Sequence, residues 1–265
     1  MDKEKVFQDA KDWVLEAGEY IRDRINEPLH IETKSNPDDL VTQMDQDTEE
    51  FFAGKIKGTY PSHRVFGEEG FGDDVKDLEG VVWIVDPIDG TMNFVHQQKN
   101  FAISIGIYED GVGEIGLIYN VMDDVLYTAV KGEGAQRNGE VLPELSKDRP
   151  LHRSIFSLNT TWLIEENRLV DSKGIADLVK TLRSTRSYGS AALEFAFVAE
   201  GLIDGYVTMS LMPWDVAAGK VILEEVGGIV TAGDGSRLDM VKRSSVCATR
   251  DNIHEEVIAD YIRLK

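Results

Sequence analysis

The sequence predicts an α+β protein with a largely antiparallel sheet. Three observations lead there. Residues 101–108, 114–119 and 125–130 alternate with period two, and Asp110-Gly111 and Asp123-Asp124 mark turns between them, the pattern of an antiparallel meander. Residues 4–26 carry Val6, Phe7, Ala10, Trp13, Val14, Ala17, Tyr20, Ile21 and Ile25 at spacings of three and four, which predicts an amphipathic helix. Residues 81–85 form a short apolar run of strand length, followed at once by Asp86-Pro87-Ile88-Asp89-Gly90-Thr91.

A chain of 265 residues suffices for one large domain or two halves sharing a sheet. We read a single domain, with halves spanning about 1–145 and 146–265. Hydrophobic content of 42% and charged content of 29% are those of a folded, soluble protein. No apolar run approaches the roughly 18 residues of a membrane span. The charged start, Met1-Asp2-Lys3-Glu4-Lys5, leads into the amphipathic pattern rather than a signal peptide, so a cytoplasmic location is expected. A net charge of −20 argues against nucleic-acid binding, which needs a basic face. An acidic protein that binds phosphate must reverse the local sign, and metal ions do that. One cysteine, Cys247, excludes an internal disulfide; in the strand-like run 245–249 it reads as buried filler.

In chain order, Pro28 follows the first helix, and residues 35–39 form a turn cluster after Lys34. Thr42-x-x-Asp45 has the form of a capping box for a helix through Phe51, Phe52 and Ile56, and capping alone would account for both residues. A short strand, 64–66, leads into Gly67-Glu68-Glu69-Gly70. Paired acids between glycines suit an exposed loop, but their place shortly before Asp86 also suits a ligand. Pro87 cannot donate a ladder hydrogen bond and holds Asp86 extended, so the strand is expected to stop at Asp86. Asp86 and Asp89 would then flank a tight turn, with Gly90 allowing close backbone approach and Thr91 capping the next helical turn. Two carboxylates on one turn suit a hard cation, and free N–H groups at Gly90 and Thr91 suit a phosphate. The plainer alternative is a polar turn with a capping threonine.

Beyond the meander, Asn138-Gly139 signals a hairpin, 155–158 a strand and 172–183 a helix. Gly189-Ser190-Ala191-Ala192 opens a helix with a broad apolar face, suited either to tight packing or to an anion or hydroxyl contact. After a strand at 205–208, Pro213-Trp214-Asp215 opens a helix closed by Gly227-Gly228, with Asp215 where the dipole favours negative charge. Asn252-x-x-Glu255 reads as a capping box for a C-terminal helix. The five histidines form no paired cluster, so no zinc site is expected.

Gly67-Glu68-Glu69, residues 83–91 continuing as Asn93-Phe94, Gly189-Ser190-Ala191 and Trp214-Asp215-Val216-Ala217-Ala218-Gly219 together resemble the inositol monophosphatase family. Lys34 and Asp39-Leu40-Val41-Thr42-x-x-Asp45 match too, and the order holds over nearly the whole chain. The resemblance implies a layered αβαβα sandwich of the sugar/inositol phosphatase type. It also implies Mg²⁺-dependent phosphomonoester hydrolysis with two to three ions, lithium sensitivity and commonly a homodimer. Carried over by position, Glu68, Asp86, the Ile88 carbonyl and Asp89 are implied metal ligands, Asp215 completes the second metal position, and Lys34 supports them from behind. Thr91 and Asp45, with Glu68, would orient and deprotonate the attacking water. The Gly90 and Thr91 amides would hold the phosphate, with Gly189, Ser190, Ala191, Thr208 and Asp215 on the substrate side. One departure matters: animal members carry a Glu seven residues before the last metal Asp, and here that position is Thr208, a neutral hydroxyl in place of a charge-assisted hydrogen bond. Met92 stands where the family often has Thr.

Four carboxylates in one pocket would repel a phosphate dianion, so metal binding is expected to precede substrate. No Ser, Cys or His stands beside a base as a covalent nucleophile, so direct attack by water is expected. The expected reaction is hydrolysis of inositol 1-phosphate. Alternatives sharing the metal core are hydrolysis of fructose 1,6-bisphosphate, of a 3′(2′),5′-bisphosphate nucleotide or of NADP. From another class, an interaction scaffold remains, against which the full set of carboxylates argues.

Overall fold

The computed structural model describes residues 1–27, 31–33 and 40–265. Lys34 and the turn expected over 35–39 lie outside the described residues. Helix α1 (Lys3–Arg24) forms where the three-four spacing predicts it, with the Asp2 carboxylate accepting from the Lys5 N–H at its start. A two-stranded antiparallel ribbon, β1 (Ile31–Thr33) and β2 (Leu40–Thr42), leads into α2 (Gln43–Thr59). Then follow β3 (Arg64–Gly67), β4 (Val81–Asp89), α3 (Thr91–Gln97), β5 (Ala102–Glu109), β6 (Val112–Asn120), β7 (Val125–Val130), β8 (Gly134–Arg137) and β9 (Glu140–Val141). Strands β3 to β9 lie side by side in chain order as a seven-stranded sheet, parallel at β3–β4 and antiparallel elsewhere.

The second half supplies β10 (Ile155–Leu158), α4 (Ser172–Thr181), β11 (Ser184–Arg186), α5 (Ala191–Ala199), β12 (Gly205–Leu211), α6 (Pro213–Glu225), β13 (Gly228–Thr231), β14 (Ser244–Arg250) and α7 (Asp251–Tyr261). Its sheet has the order β11-β10-β12-β14-β13 and is mixed.

Both sheets are buried on both faces, and strand alternation assigns each side chain to a layer. Trp83 and Val85 of β4 join Val14, Ile21 and Phe52 of α1 and α2 in one core. Val82 and Ile84, on the other face of the same strand, pack with Phe195 of α5 and Ile222 of α6. The same middle core takes Tyr206, Val246 and Ala248 from the second sheet. The opposite face of that sheet, through Val207, Met209 and Cys247, packs under Leu178 of α4 and Val257 of α7. The result is an αβαβα sandwich. Among the described residues no helix is long and apolar enough to cross a membrane.

Two expectations are corrected. Strand β4 does not stop at Asp86: it runs through Pro87 to Asp89, and the pairing with β5 shifts between Asp86↔Ser104 and Asp89↔Ala102. A bulge absorbs the ladder donor that proline lacks, so the strand bends instead of ending. The capping box at Asn252 does not form, because α7 already begins at Asp251. Asn252 lies inside the first turn and its amide donates to the Arg149 carbonyl at 2.8 Å.

Candidate active site

The bulge in β4 creates the site. Residues three apart on a regular strand point to opposite faces. The extra residue at Pro87-Ile88 restores Asp89 to the side of Asp86, and oxygens of Asp86, Asp89 and Asp215 all come within 4.8 Å of one another. Asp86 and Asp215 are held by local N–H donors, Asp89 by donors from a distant helix. Asp86 Oδ1 accepts from the Ile88 N–H at 3.0 Å. Asp215, in the first turn of α6, reaches back to the Met212 N–H at 2.7 Å. Asp89 sits over the start of α5, accepting from the Ser190 hydroxyl, the Ala192 N–H at 2.8 Å and the Ala191 N–H at 3.2 Å.

Burial pushes Asp89 up to about 7, against the opposing pull of the Ser190 and Ala192 hydrogen bonds. Burial also raises Asp86 and Asp215 well above the usual carboxylate range, reinforced by repulsion from each other's neighbours and from Glu68. Three inward-facing carboxylates that resist ionisation together, all hard oxygen donors, fit a divalent cation such as Mg²⁺. Half-buried Glu68 is not one of the 4.8 Å trio, but its charge acts on all three.

Beside the trio, Gly90 adopts a left-handed backbone (φ 92°) and itself caps α3. Thr91 therefore does not serve as the cap that was expected. Its hydroxyl lies 3.1 Å from the Ile88 carbonyl and 3.2 Å from Asp45 Oδ1. Asp45 does form the capping box with Thr42, accepting on Oδ2 from the Thr42 N–H at 2.8 Å and hydroxyl at 2.5 Å. Burial pushes Asp45 up to about 6, against the Thr42 hydrogen bonds. Capping and chemistry are thus compatible, because each uses a different oxygen.

A cavity of about 290 Å³ opens beside Asp89 and Asp215, and Gly189, Ser190, Ala191 and Thr208 line it. The Ser190 hydroxyl is turned to Asp89 and also accepts from the Leu193 N–H at 3.3 Å. The structure thus brings together Asp45, Glu68, Asp86, Ile88, Asp89, Gly90, Thr91, the Gly189–Ala191 turn, Thr208 and Asp215.

A family model for the inositol monophosphatase family matches residues 2–264. The chain belongs to that family. The inositol-1-monophosphatase of Bacillus subtilis is 54% identical over 97% of this chain and 96% of its own. SaIMPase-II, a staphylococcal protein solved with inositol monophosphate bound, superposes with a TM-score of 0.87 at 41% identity, covering 97% of this chain and 93% of that one. An IMPase/NADP phosphatase solved with Mg²⁺ and phosphate gives a TM-score of 0.89 at 26% identity, covering 99% of both chains.

Around this inositol monophosphatase core stand residues that motif reading passed over. Glu194 lines the cavity, and its Oε1 accepts the Tyr188 N–H at 2.8 Å and the Gly189 N–H at 3.3 Å, fixing the turn before α5. Asn159, Trp162, Tyr206 and Ser210 also line the cavity. Glu49, one turn after Asp45 on α2, is fully buried behind the Glu68 loop. Both glutamates carried a signal: Glu194 is the lone charge in an otherwise apolar helix, and Glu49 repeats the face of Asp45 four residues on.

Proposed function

We propose that the protein is a Mg²⁺-dependent phosphatase that hydrolyses inositol 1-phosphate to inositol and inorganic phosphate. The observation that carries the reading is the trio Asp86, Asp89 and Asp215, the first two buried and the third half-buried, beside a cavity of about 290 Å³ that Asp89 and Asp215 line. Those three, with Glu68 and the Ile88 carbonyl, would hold two to three ions. Mg²⁺ held by these residues would supply Lewis acidity, making a bound water more acidic and offsetting negative charge on the phosphate.

The chain's own groups supply the rest. The Thr91 hydroxyl, lying against Asp45 Oδ1, orients the attacking water and passes a proton to Asp45. A base pushed to about 6 is ionised at neutral pH yet still basic enough to accept. The Gly90 and Thr91 N–H groups hold phosphate oxygens. Gly189, Ala191 and Thr208 face the alcohol, with Ser190 acting by fixing Asp89. Both halves of the chain act as one unit, because α5 and α6 share the middle core. We place the protein in the cytoplasm as a homodimer inhibited by lithium.

Phosphate release from inositol 1-phosphate, fructose 1,6-bisphosphate, adenosine 3′,5′-bisphosphate and NADP tests the substrate, with Asp89→Asn as control. Turnover should be highest on inositol 1-phosphate and fall by several orders of magnitude in the variant. Preference for another ester would keep the site and reject the substrate. Silence on every ester in a protein that still binds Mg²⁺ would reject the enzyme reading.

A further inference from the structure

Glu49 has no part in the chemistry above, yet it is a glutamate with no exposed surface. A carboxylate buried that deeply needs partners. It finds them in the backbone: Oε2 accepts the Glu69 N–H at 2.5 Å and Oε1 accepts the Phe71 N–H at 2.8 Å. The Gly70 N–H contributes as well. Successive N–H groups curled round one carboxylate make an anion nest, here closed by a side chain of the same protein. The fit is tight on the loop side too. A Cβ at position 67 would overlap the Glu49 carboxyl group, so Gly67 is the residue that lets the clamp close.

The clamped segment carries Glu68. Its charge is repelled by Asp45, Asp86, Asp89 and Asp215 together. Strand β3 ends at Gly67, so the next residues lie beyond its ladder with β4. We propose that Glu49 is a positioning residue that clamps the 67–71 loop so that Glu68 stays turned towards the aspartate trio when the metal enters. Helix α2 then serves the site twice on one face: Asp45 fixes Thr91, and Glu49 fixes Glu68.

The inference rests on the reading of Glu68 as a metal ligand, and the test separates the two. Mg²⁺ binding to the whole protein is measured by isothermal titration calorimetry for Glu49→Gln, Glu68→Gln and the double variant. Thr48→Val is the control; Thr48 is the neighbouring residue of α2, and its buried hydroxyl has no hydrogen-bond partner among the described residues. Glu49→Gln keeps the shape but turns one acceptor into a donor facing an N–H. It should weaken Mg²⁺ binding roughly tenfold or more, as losses behind a metal ligand do. The double variant should be no weaker than Glu68→Gln alone, because the clamp acts through that ligand. Thr48→Val should bind normally. Gly67→Ala attacks the same contact from the loop and should reproduce the loss if Glu49→Gln does not fold. Normal affinity in a folded Glu49→Gln or Gly67→Ala protein, or additive losses in the double variant, would overturn the proposal alone. Normal affinity in Glu68→Gln would overturn the ligand reading and the proposal with it.

Discussion

The stability that Mg²⁺ confers should grow steeply with pH, and Asp89 sets the size of the effect. Its carboxyl is pushed from the usual 3.8 to about 7 in the folded protein. Between these values the folded metal-free protein holds a proton that the unfolded chain has released. Stability from this group is therefore present below the unfolded value and declines as pH rises, by about 1.4 kcal/mol per unit until the folded value is passed. Mg²⁺ reverses that trend because it needs the ionised form. Well below about 7 each unit of acid should weaken binding about tenfold through Asp89 alone, and the loss between pH 7 and pH 5 should be about fiftyfold. At a Mg²⁺ concentration a hundredfold above its dissociation constant at pH 7, the gain is about 2.7 kcal/mol; at pH 5 the same concentration gives about 0.6 kcal/mol. At roughly 2–4 °C per kcal/mol for a chain of this size, the melting shift should be about 5–10 °C at pH 7 and about 1–3 °C at pH 5. Differential scanning calorimetry with and without Mg²⁺ over a pH series reads this directly. An equal shift at both ends of the series would refute the assignment of buried, proton-competing carboxylates as the metal site. In Asp89→Asn the pH slope of the shift should flatten.

Two further outcomes follow from the geometry. Asp45→Asn should lower kcat by about 10²–10⁴-fold while leaving Mg²⁺ affinity nearly unchanged, because Asp45 lies outside the trio and acts on Thr91; initial rates set against calorimetric titration separate the two effects. Thr208→Glu places a carboxylate on the cavity wall and should lower the KM for inositol 1-phosphate about tenfold, the difference between a neutral and a charge-assisted hydrogen bond. A phosphate ester without free hydroxyls should show no such gain in the same steady-state assay.

Much of the framework is legible because its causes are local. The meander of β5 to β7 follows from period-two alternation, and α1 from three-four spacing of apolar residues. The clustering of Asp86, Asp89 and Asp215 is different: Asp215 is far from the other two in sequence, and motif resemblance rather than periodicity joined them. Pro87 was readable as a disruption, but whether it ends a strand or bulges it depends on pairing with Ser104 and Ala102 across the sheet. Asn252 has the sequence of a cap yet packs on Arg149, a partner that sequence spacing does not reveal.

Residue type and order alone determined the layered α+β class, the acidic metal-suited motifs and the family to which they belong. Hydrophobic periodicity and carboxylate identity are properties of short segments and survive without knowledge of what packs on what. Only the tertiary structure decided which oxygen of each carboxylate is left for a ligand. Asp45 uses one oxygen to cap α2 and offers the other to Thr91. Ser190 turns its hydroxyl onto Asp89, and Glu49 is buried beneath the Glu68 loop. The Thr42 cap is local, but Thr91, Ser190 and the Glu69 N–H arrive from other parts of the chain, and burial raises the cost of leaving any of these groups unpaired.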